Sequence, residues 1–453
     1  MINEPKRTSN NSLIVHMTGV HTMSHDRYAK CVEDRHSRRA ILSGIASTLG
    51  VSLMSPWSHV LEAAPASKAT KAKKVIYFYM GGAMSHIDTF DPKPDRPDIQ
   101  GDVGVVKTKT PGIVFGEHMT NLAELQDKLA IVRSMTTETA DHSKARYWLQ
   151  TSYPVLNSIR HPSMGAWISN EMGKINKSLP PYVLVNSGGN GHPGAGFLDP
   201  SLTPVPVADP EKGIENTELP SYLTEAVFKR RLTLADRIDS NFRKRYAGYQ
   251  LESYNQMYKD AVTLMGGADL EAFDLTKEPE DVQERYGSSQ VGLGALLARR
   301  LVEHDVRFVQ VDYGGWDMHN DVATNMSTKG PALDKALGAL IRDLESSGLL
   351  DETLIVLASE FGRSPGINQN AGRDHHPAAF SYLLAGAGVQ GGAVYGKSDE
   401  KGHGIDEDPV GITDFNSTIT VACGLDPNKE HFAPNGRPFK IGGGGDPIYD
   451  VLS

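Results

Sequence analysis

The segment TLIVLASEFGRSPGINQNAGRDHHP (residues 353–377) passes directly from an apolar run into a polar loop. Its first part, 353–360, is short and apolar, and predicts a buried strand that ends at Glu360. The loop that follows contains two arginines, one aspartate and the adjacent pair His375 and His376. Ligands bind outside the carboxyl ends of the strands in an open parallel sheet, so these side chains are candidates for a binding site.

Other apolar runs of similar length predict further strands. Amphipathic helical patterns separate them, over 117–127, 289–303 and 330–346. This alternation predicts an α/β fold with a mostly parallel sheet covered on both faces. Polar residues with a mostly helical pattern, within about 200–285, predict an insertion or cap. The further predicted strands are KKVIYFYM (73–80), KLAIVRSM (128–135), YVLVNS (182–187), VRFVQVDY (306–313) and FSYLLAGAG (380–388).

The composition narrows the class of partner. The chain has 453 residues and a formal net charge of -9, which argues against nucleic acid as a partner because phosphate binding needs clustered Lys and Arg. No stretch after residue 75 is apolar for long enough to span a bilayer, so we expect no stable transmembrane anchor in the mature protein. Of the two cysteines, Cys31 and Cys423, the first precedes the expected mature chain, which excludes an intrachain disulfide there.

The N-terminal region has the features of an export signal. SRRAIL (37–42) contains a twin arginine, a moderately apolar segment follows, and LEAAPASKA (61–69) supplies small residues for cleavage. We therefore expect residues 1–66 to be a leader with a Tat-type signal peptide, the folded domain to cover 73–450, and the mature protein to be periplasmic or secreted. An ordinary buried helix after a basic turn is the alternative.

Acids and histidines collect after the predicted strands. Carboxylate and imidazole groups from separate loops that meet at one sheet edge favour a pair of divalent ions about 4 Å apart. Polar turns that bind nothing are the alternative at each loop. Zinc, calcium, magnesium and manganese are not distinguished by this pattern. The candidate metal ligands are His86, Asp88, Asp312, Asp317, His319, Glu360, His375 and His376.

A helix is predicted to begin within TTETADHSKARYWLQTS (136–152). Its free backbone N–H groups and partial positive charge suit an anion or an activated nucleophile, although simple capping by Thr, Asp and Ser remains open. Arg146, Arg363 and Arg373 are candidates to hold an anionic group in a bidentate fork. Together these features predict a metallohydrolase of phosphate or sulfate esters, acting on a small molecule or a polysaccharide.

Four segments resemble a known family. They are similar to the domain-of-unknown-function 1501 proteins, which are exported bacterial proteins grouped with the alkaline phosphatase and sulfatase superfamily. The resemblance covers essentially the whole mature chain and implies a three-layer α/β/α sandwich with metals at the strand ends. The segments are GGAMSHIDTFDPKP (81–94), DYGGWDMHN (312–320), ASEFGRSPGINQNAGRDHHP (358–377) and LLAGAGVQGGAVYGKSD (383–399).

The resemblance implies roles for several of these residues. Asp312, Asp317 and His319 match the superfamily's acid, Asp and His ligands, and His375 or His376 matches its late histidine. Glu360 matches the acid of an Asp-His pair, but Phe361 stands where the histidine would be.

A second departure lies after the first strand. The superfamily places one or two Asp ligands at the end of that strand, whereas this chain has Gly81 and Gly82. We expect His86 and Asp88, which lie close behind, to substitute for them.

The resemblance also marks the expected position of the nucleophile. Sulfatases carry C-x-P-S-R at the start of the helix after the second strand, and this chain has His142 at the Cys position. That difference excludes formylglycine chemistry. Ser143 and His142 are the candidate catalytic residues, with Ser143 or Thr139 as the nucleophile. The leading hypothesis is a metal-dependent hydrolase. The alternative is a non-catalytic binding or structural protein on a degenerate sulfatase-like scaffold.

Overall fold

Runs of β-branched, aliphatic and aromatic residues form the strands of a central sheet. The computed structural model of this protein describes residues 71–215, 217–245, 249–265 and 267–453, and the predicted leader and signal peptide lie outside them. The strands are β1 Lys74–Tyr79, β2 Val105–Lys107, β3 Val114–Gly116, β4 Leu129–Met135, β5 Tyr182–Val185, β6 Val205–Val207, β7 Phe308–Asp312, β8 Thr353–Ala358, β9 Gly362–Arg363, β10 His375–His376, β11 Phe380–Gly386, β12 Val394–Tyr395, β13 Lys397–Ser398, β14 Ile405–Glu407, β15 Glu430–Phe432 and β16 Pro438–Lys440.

The central sheet has eight strands in the order β12-β4-β11-β8-β1-β7-β5-β6. Its neighbours pair in parallel except for β11, which is antiparallel to both β4 and β8. The prediction of a mostly parallel sheet is therefore confirmed. Because β11 is reversed, its first residues lie at the edge where the other strands have their carboxyl ends.

Helices cover both faces of the sheet. The helices of the described residues are α1 Pro97–Gln100, α2 Thr120–Glu124, α3 His142–Thr151, α4 Met164–Met172, α5 Glu225–Arg245, α6 Tyr249–Met265, α7 Glu280–Tyr286, α8 Gln290–Glu303, α9 Val322–Ser346 and α10 Ile412–Ala422.

Side-chain alternation along β1 produces two cores. Ile76 and Phe78 lie in one core with residues of α8 and α9, whereas Val75 and Tyr77 lie in the other with residues of α4 and α10. Successive residues of a strand point to opposite faces, so a strand buried on both faces reads as a continuous apolar run. This arrangement is the α/β/α sandwich that the resemblance implied.

Helix α9 begins earlier than the sequence pattern suggested. The pattern predicted a helix over 330–346, but the helix starts at Val322 and contains Pro331. A proline removes one backbone donor and normally ends or kinks a helix. Here the first turns are retained because Val322 and Met326 are buried in the core.

The predicted insertion is largely helical. Within 200–285, α5, α6 and α7 follow the short edge strand β6. Pro206 in β6 lacks a backbone donor, which is compatible with an edge position and explains why no strand was predicted there. Among the residues that the structure describes, no helix is both long and apolar enough to cross a membrane.

Candidate metal centre

Loops from several strands meet at one edge of the sheet. The segments that follow β1, β4, β7 and β8 arrive there from the carboxyl ends of parallel strands. The segment that precedes β11 arrives at the same edge because β11 is antiparallel. This reversal brings the histidine pair 375–376 to the loops of the other strands.

A two-stranded pairing selects one of the two adjacent histidines. In the antiparallel pair β9–β10, His375 lies opposite Arg363 and His376 lies opposite Gly362. Residues directly opposite each other point to the same face, and neighbours along a strand point to opposite faces. His375 therefore joins Arg363 at the cluster, while His376 turns away.

Three ligand-type atoms converge at this edge. The Nε2 atoms of His142 and His375 are 3.0 Å apart. The Oδ1 atom of Asp317 is 3.2 Å from Nε2 of His375 and 3.5 Å from Nε2 of His142. These three residues, from the loops after β4 and β7 and from β10, form a group that is close enough to hold one metal ion.

The second nitrogen of each of these histidines fixes the tautomer. Nδ1 of His142 donates to Oε1 of Glu360 at 2.7 Å, and Nδ1 of His375 donates to the carbonyl oxygen of Ala140 at 2.9 Å. With Nδ1 protonated, a neutral imidazole presents an unprotonated Nε2. The two lone pairs face each other at 3.0 Å and require a cation or a shared proton between them.

The donor set fits a divalent transition metal. Two imidazole nitrogens and one carboxylate oxygen, with a further position for a substrate or water, form a common catalytic zinc arrangement. Ligand atoms bound tetrahedrally at zinc distances lie about 3.3 Å from one another. The observed separations of 3.0, 3.2 and 3.5 Å are close to that value.

His319 forms a second triangle on the same edge. Its Nε2 is 3.0 Å from Nε2 of His375 and 3.0 Å from Oδ1 of Asp317. Its Nδ1 donates to Oδ1 of Asp374 at 3.0 Å, which fixes the same tautomer as in the other two rings. The two triangles share the His375–Asp317 side, so His319 flanks the first group of three.

A buried arginine balances the charge of this cluster. Arg363 is 1% exposed, and its guanidinium donates to Asp317 and to three backbone carbonyls, those of Gly82, Ala83 and Arg373. Partial burial raises the pKa of Asp317, but the hydrogen bond and charge of Arg363 outweigh it and lower the pKa to about 2. Asp317 is therefore ionised at neutral pH.

The surroundings act differently on the two histidines. The hydrogen bond to Glu360 raises the pKa of His142. Burial lowers the pKa of His375, and the nearby charge of Arg363 lowers it further. These directions favour an uncharged His375 at neutral pH, which is the form that binds a metal.

A cavity of about 550 Å³ opens beside the cluster. His142, Asp317 and Ser143 line it, together with Arg146 and Asp312. The guanidinium of Arg146 lies over the ring of Tyr79, 5.0 Å from its centroid, and its Nη2 donates to Oδ2 of Asp312 at 3.3 Å. Burial raises the pKa of Asp312.

Two residues expected to bind metal after β1 lie in buried contacts elsewhere. Asp88 accepts two bonds from Arg373, at 2.8 and 2.9 Å, and both side chains are 0% exposed. Nε2 of His86 donates to the carbonyl oxygen of Gly402 at 2.9 Å. The structure therefore does not bring His86 or Asp88 to the cluster, and Arg373 is fully engaged with a carboxylate rather than available for an external anion.

Two further candidates occupy neighbouring positions. His376 donates from Nε2 to the carbonyl oxygen of His403 at 2.6 Å, away from the cluster. Glu360 lies behind His142, where Oε1 also accepts the N–H of Gly82 at 2.8 Å. Asp312 lies in the cavity wall. Thus the geometry groups His142, Asp317, His319 and His375, and places Glu360 as the group that orients His142.

Sequence reasoning missed two orienting groups. Asp374 fixes the ring of His319, and the carbonyl oxygen of Ala140 fixes the ring of His375. Asp374 stands directly before the histidine pair, and its carboxylate was a usable signal. A backbone carbonyl leaves no trace in a sequence.

Comparison with solved structures finds similar chains at low identity. A lipoteichoic acid synthase, LtaP, from Listeria monocytogenes has a TM-score of 0.38 and 10% identity, and the match covers 84% of this chain and 77% of that one. The PsFucS1 sulfatase from Pseudoalteromonas sp. has a TM-score of 0.36 and 14% identity, covering 79% and 69%. The alkaline phosphatase from the Antarctic bacterium TAB5 has a TM-score of 0.34 and 10% identity, covering 79% and 100%.

No curated protein matches the sequence significantly. A family model does match, over residues 72–452 of the 453-residue chain. The protein therefore belongs to the family described as "Protein of unknown function (DUF1501)".

Proposed function

We propose that this protein is an exported, metal-dependent hydrolase of phosphate or sulfate esters. The observation that carries the proposal is the group formed by His142, Asp317 and His375, whose ligand atoms lie 3.0 to 3.5 Å apart at the rim of a cavity. Residues from three separate segments of the chain place two imidazole nitrogens and an ionised carboxylate oxygen around one point, and a divalent ion is the natural occupant of such a point.

The donor types bear on the metal. Imidazole ligands suit zinc and other transition metals, whereas calcium and magnesium prefer oxygen ligands throughout. We therefore infer zinc rather than calcium or magnesium at His142, Asp317 and His375, with manganese, a transition metal that also accepts carboxylate, as the second candidate. A divalent ion there would polarise an ester oxygen and stabilise the negative charge that develops on it.

Arg146 is the proposed anchor for the anionic group. It extends from α3 into the cavity, and its Nε has no hydrogen-bond partner among the described residues. A phosphate or sulfate would accept hydrogen bonds from this Nε and from Nη2 in a bidentate contact. In this structure Nη2 of Arg146 donates to Asp312, and this hydrogen bond keeps the guanidinium over the ring of Tyr79.

Ser143 lines the cavity but lacks an activating base in its own motif. The adjacent His142 uses Nδ1 for Glu360 and directs Nε2 into the cluster, so neither nitrogen is available to take the hydroxyl proton. We therefore propose water rather than Ser143 as the nucleophile. A bound divalent ion would supply the activation that His142 does not, and the bond from phosphorus or sulfur to the alcohol oxygen would break as the bond to water forms. Substitution Ser143→Ala then leaves kcat within about tenfold of the wild type, whereas a serine nucleophile would make the loss far larger.

The second candidate function is a metal-dependent binding protein without turnover. The engagement of both ring nitrogens of His142 favours this second function. The site can then bind an anion but has no side chain in place to act as a general base. The two functions share the metal site and differ in turnover.

One experiment separates these functions. Purified protein is loaded with zinc, manganese, magnesium or calcium and assayed with p-nitrophenyl phosphate and p-nitrophenyl sulfate. Hydrolysis that depends on zinc or manganese, is lost in His375→Ala and persists in His376→Gln supports the hydrolase. Metal binding without turnover on a broad ester panel supports the binding protein, and the absence of both contradicts each proposal.

Export is the remaining component of the proposal. It rests on the twin arginine Arg38 and Arg39, the apolar segment behind them and the small residues that follow. The double substitution Arg38→Lys and Arg39→Lys is expected to leave the protein in the cytoplasm with its N-terminus uncut. Normal processing of that variant would contradict the Tat assignment.

A further inference from the structure

Helix α5 lies on the outside of the predicted insertion and has an exposed apolar stripe. Val227, Leu234 and Ile238 are 44%, 58% and 63% exposed. Their spacing of seven and four residues places them on one side of the helix, over about 16 Å of its length. Tyr222, just before the helix, is 80% exposed. Four large apolar side chains are thus exposed in and next to one helix.

Basic residues border this stripe. Arg230, Arg231 and Arg237 are exposed and fall within about 80° of its centre at 100° per residue. The helix as a whole carries seven Lys or Arg residues and three Asp or Glu residues, a formal charge of +4 in a chain of net charge -9. Positive charge is therefore concentrated on this helix, although the net charge of the whole protein is negative.

The acidic residues of α5 occupy the other side. Asp236 and Asp239 line a groove with Tyr258 and Lys259 of α6, and Glu225 pairs with Lys229 at 2.5 Å. The outer face, defined by Val227, Arg230, Arg231, Leu234, Arg237 and Ile238, therefore contains aliphatic and cationic side chains and no acid. This separation is the pattern of a helix that lies on an anionic lipid surface.

We propose that the outer face of α5 docks this protein on an anionic lipid surface. Exposed Leu, Ile and Val between arginines would enter the boundary between head groups and acyl chains, while the guanidinium groups contact the lipid phosphates. An anionic polymer would use the arginines but would gain nothing from the aliphatic stripe. The stripe is the feature that favours lipid.

A second copy of the chain fits this face less well. A two-fold contact is made by the same patch on both subunits, so Arg230, Arg231 and Arg237 of one copy would meet the same residues of the other. Like charges held that close oppose association. Charge complementarity therefore points to an anionic partner rather than to self-association.

Sedimentation with lipid vesicles tests this proposal on the full mature protein. Vesicles of phosphatidylcholine with 30–40% phosphatidylglycerol (about one anionic lipid in three) are compared with pure phosphatidylcholine at low and physiological salt. We expect binding only to the anionic vesicles, and a decrease of at least about tenfold in partitioning for Arg230→Gln/Arg231→Gln and for Leu234→Ser/Ile238→Ser. The matched control is Lys212→Gln/Lys229→Gln, which removes the same charge from two exposed lysines outside the face and keeps binding close to wild type.

The remaining outcomes overturn the proposal. An equal loss of vesicle binding in the control and in the Arg230/Arg231 variant would show that overall charge alone attracts the protein to the vesicles. Binding to a sulfated polymer but not to vesicles, unaffected by Leu234→Ser/Ile238→Ser, would assign the face to a polyanion. A dimer that dissociates in the Leu234/Ile238 variant would assign it to self-association. Unchanged circular dichroism and thermal midpoints confirm that the variants, all at exposed positions, are folded.

Discussion

The Nε2 atoms of His142 and His375 face each other at 3.0 Å, while the Nδ1 atom of each ring donates to a fixed acceptor. Two neutral imidazoles in this state repel each other unless something positive lies between them. The ionised carboxylate of Asp317 completes the triangle at 3.2 and 3.5 Å. The protein therefore maintains an arrangement that is costly without a cation and favourable with one.

Glu360 is expected to tune the affinity of this site without binding the metal itself. The substitution Glu360→Gln keeps the size of the side chain but removes the charge that holds the Nδ1 proton of His142. Loss of such a supporting carboxylate typically weakens metal binding about 10- to 100-fold. Competition with a chelator measures this change, with Glu352→Gln as a control at a more exposed site. Complete loss of metal would instead make Glu360 a direct ligand.

The buried pair Asp88–Arg373 is expected to stabilise the fold and not to bind substrate. Asp88→Asn leaves a fully buried guanidinium without its counterion, which costs about 3–5 kcal/mol in the free energy of unfolding. Urea denaturation measures this loss. Arg96 and Asp98 form a more exposed ion pair, and Asp98→Asn in that pair should change the free energy of unfolding very little. If Asp88→Asn is as stable as the wild type but binds the ester more weakly, Arg373 takes part in substrate binding and this expectation is wrong.

Two buried histidines predict an acid-sensitive stability. Burial lowers the pKa of His86 and of His192 from 6.5 to about 4. Between pH 6.5 and pH 4 the unfolded chain binds more protons than the folded one at these positions, so stability falls as the pH falls. From pH 7 to pH 5 each contributes a loss of about 2 kcal/mol.

Denaturation at both pH values checks this dependence in metal-free protein. His192→Gln should reduce the difference between pH 7 and pH 5 by about one histidine's share, roughly 2 kcal/mol. The exposed His403→Gln serves as the comparison for removal of a surface histidine. An unchanged pH dependence in His192→Gln would mean that His192 takes up its proton equally in the folded and the unfolded protein, so that burial does not lower its pKa.

Arg146 is expected to act on substrate affinity. Arg146→Lys keeps the charge but loses the planar fork that binds two oxygens, so KM for an ester and Ki for inorganic phosphate or sulfate should both rise about tenfold or more. The change in kcat should be smaller. Arg96→Lys, at a half-buried arginine that pairs with Asp98 and does not line the cavity, is the control. Unaltered KM and Ki would remove Arg146 from the anion site.

Much of the sheet was predictable because its strands are buried on both faces. Runs such as 73–80 and 353–360 are short, apolar and followed by Gly or polar residues, and they correspond to β1 and β8. The edge strand β6 escaped prediction because Pro206 interrupts it. The start of α9 was placed too late because the helix continues through Pro331.

The site was predictable only in its location. Which member of the pair His375–His376 enters the cluster depends on the register of β9 against β10. Asp88 and Arg373 are separated by 285 positions, and nothing local shows that they bury each other. The antiparallel course of β11 is likewise set by tertiary pairing and not by local pattern.

The metal content of purified protein and of two neighbouring variants tests the central claim most directly. Inductively coupled plasma mass spectrometry of wild type, His375→Ala and His376→Gln compares two adjacent histidines, of which only the first faces the cluster. We predict about one equivalent of zinc or manganese in the wild type and in His376→Gln, and none in His375→Ala, with all three proteins folded. A folded wild-type protein that is metal-free and takes up no added zinc or manganese would contradict the account, as would equal metal content in the two variants.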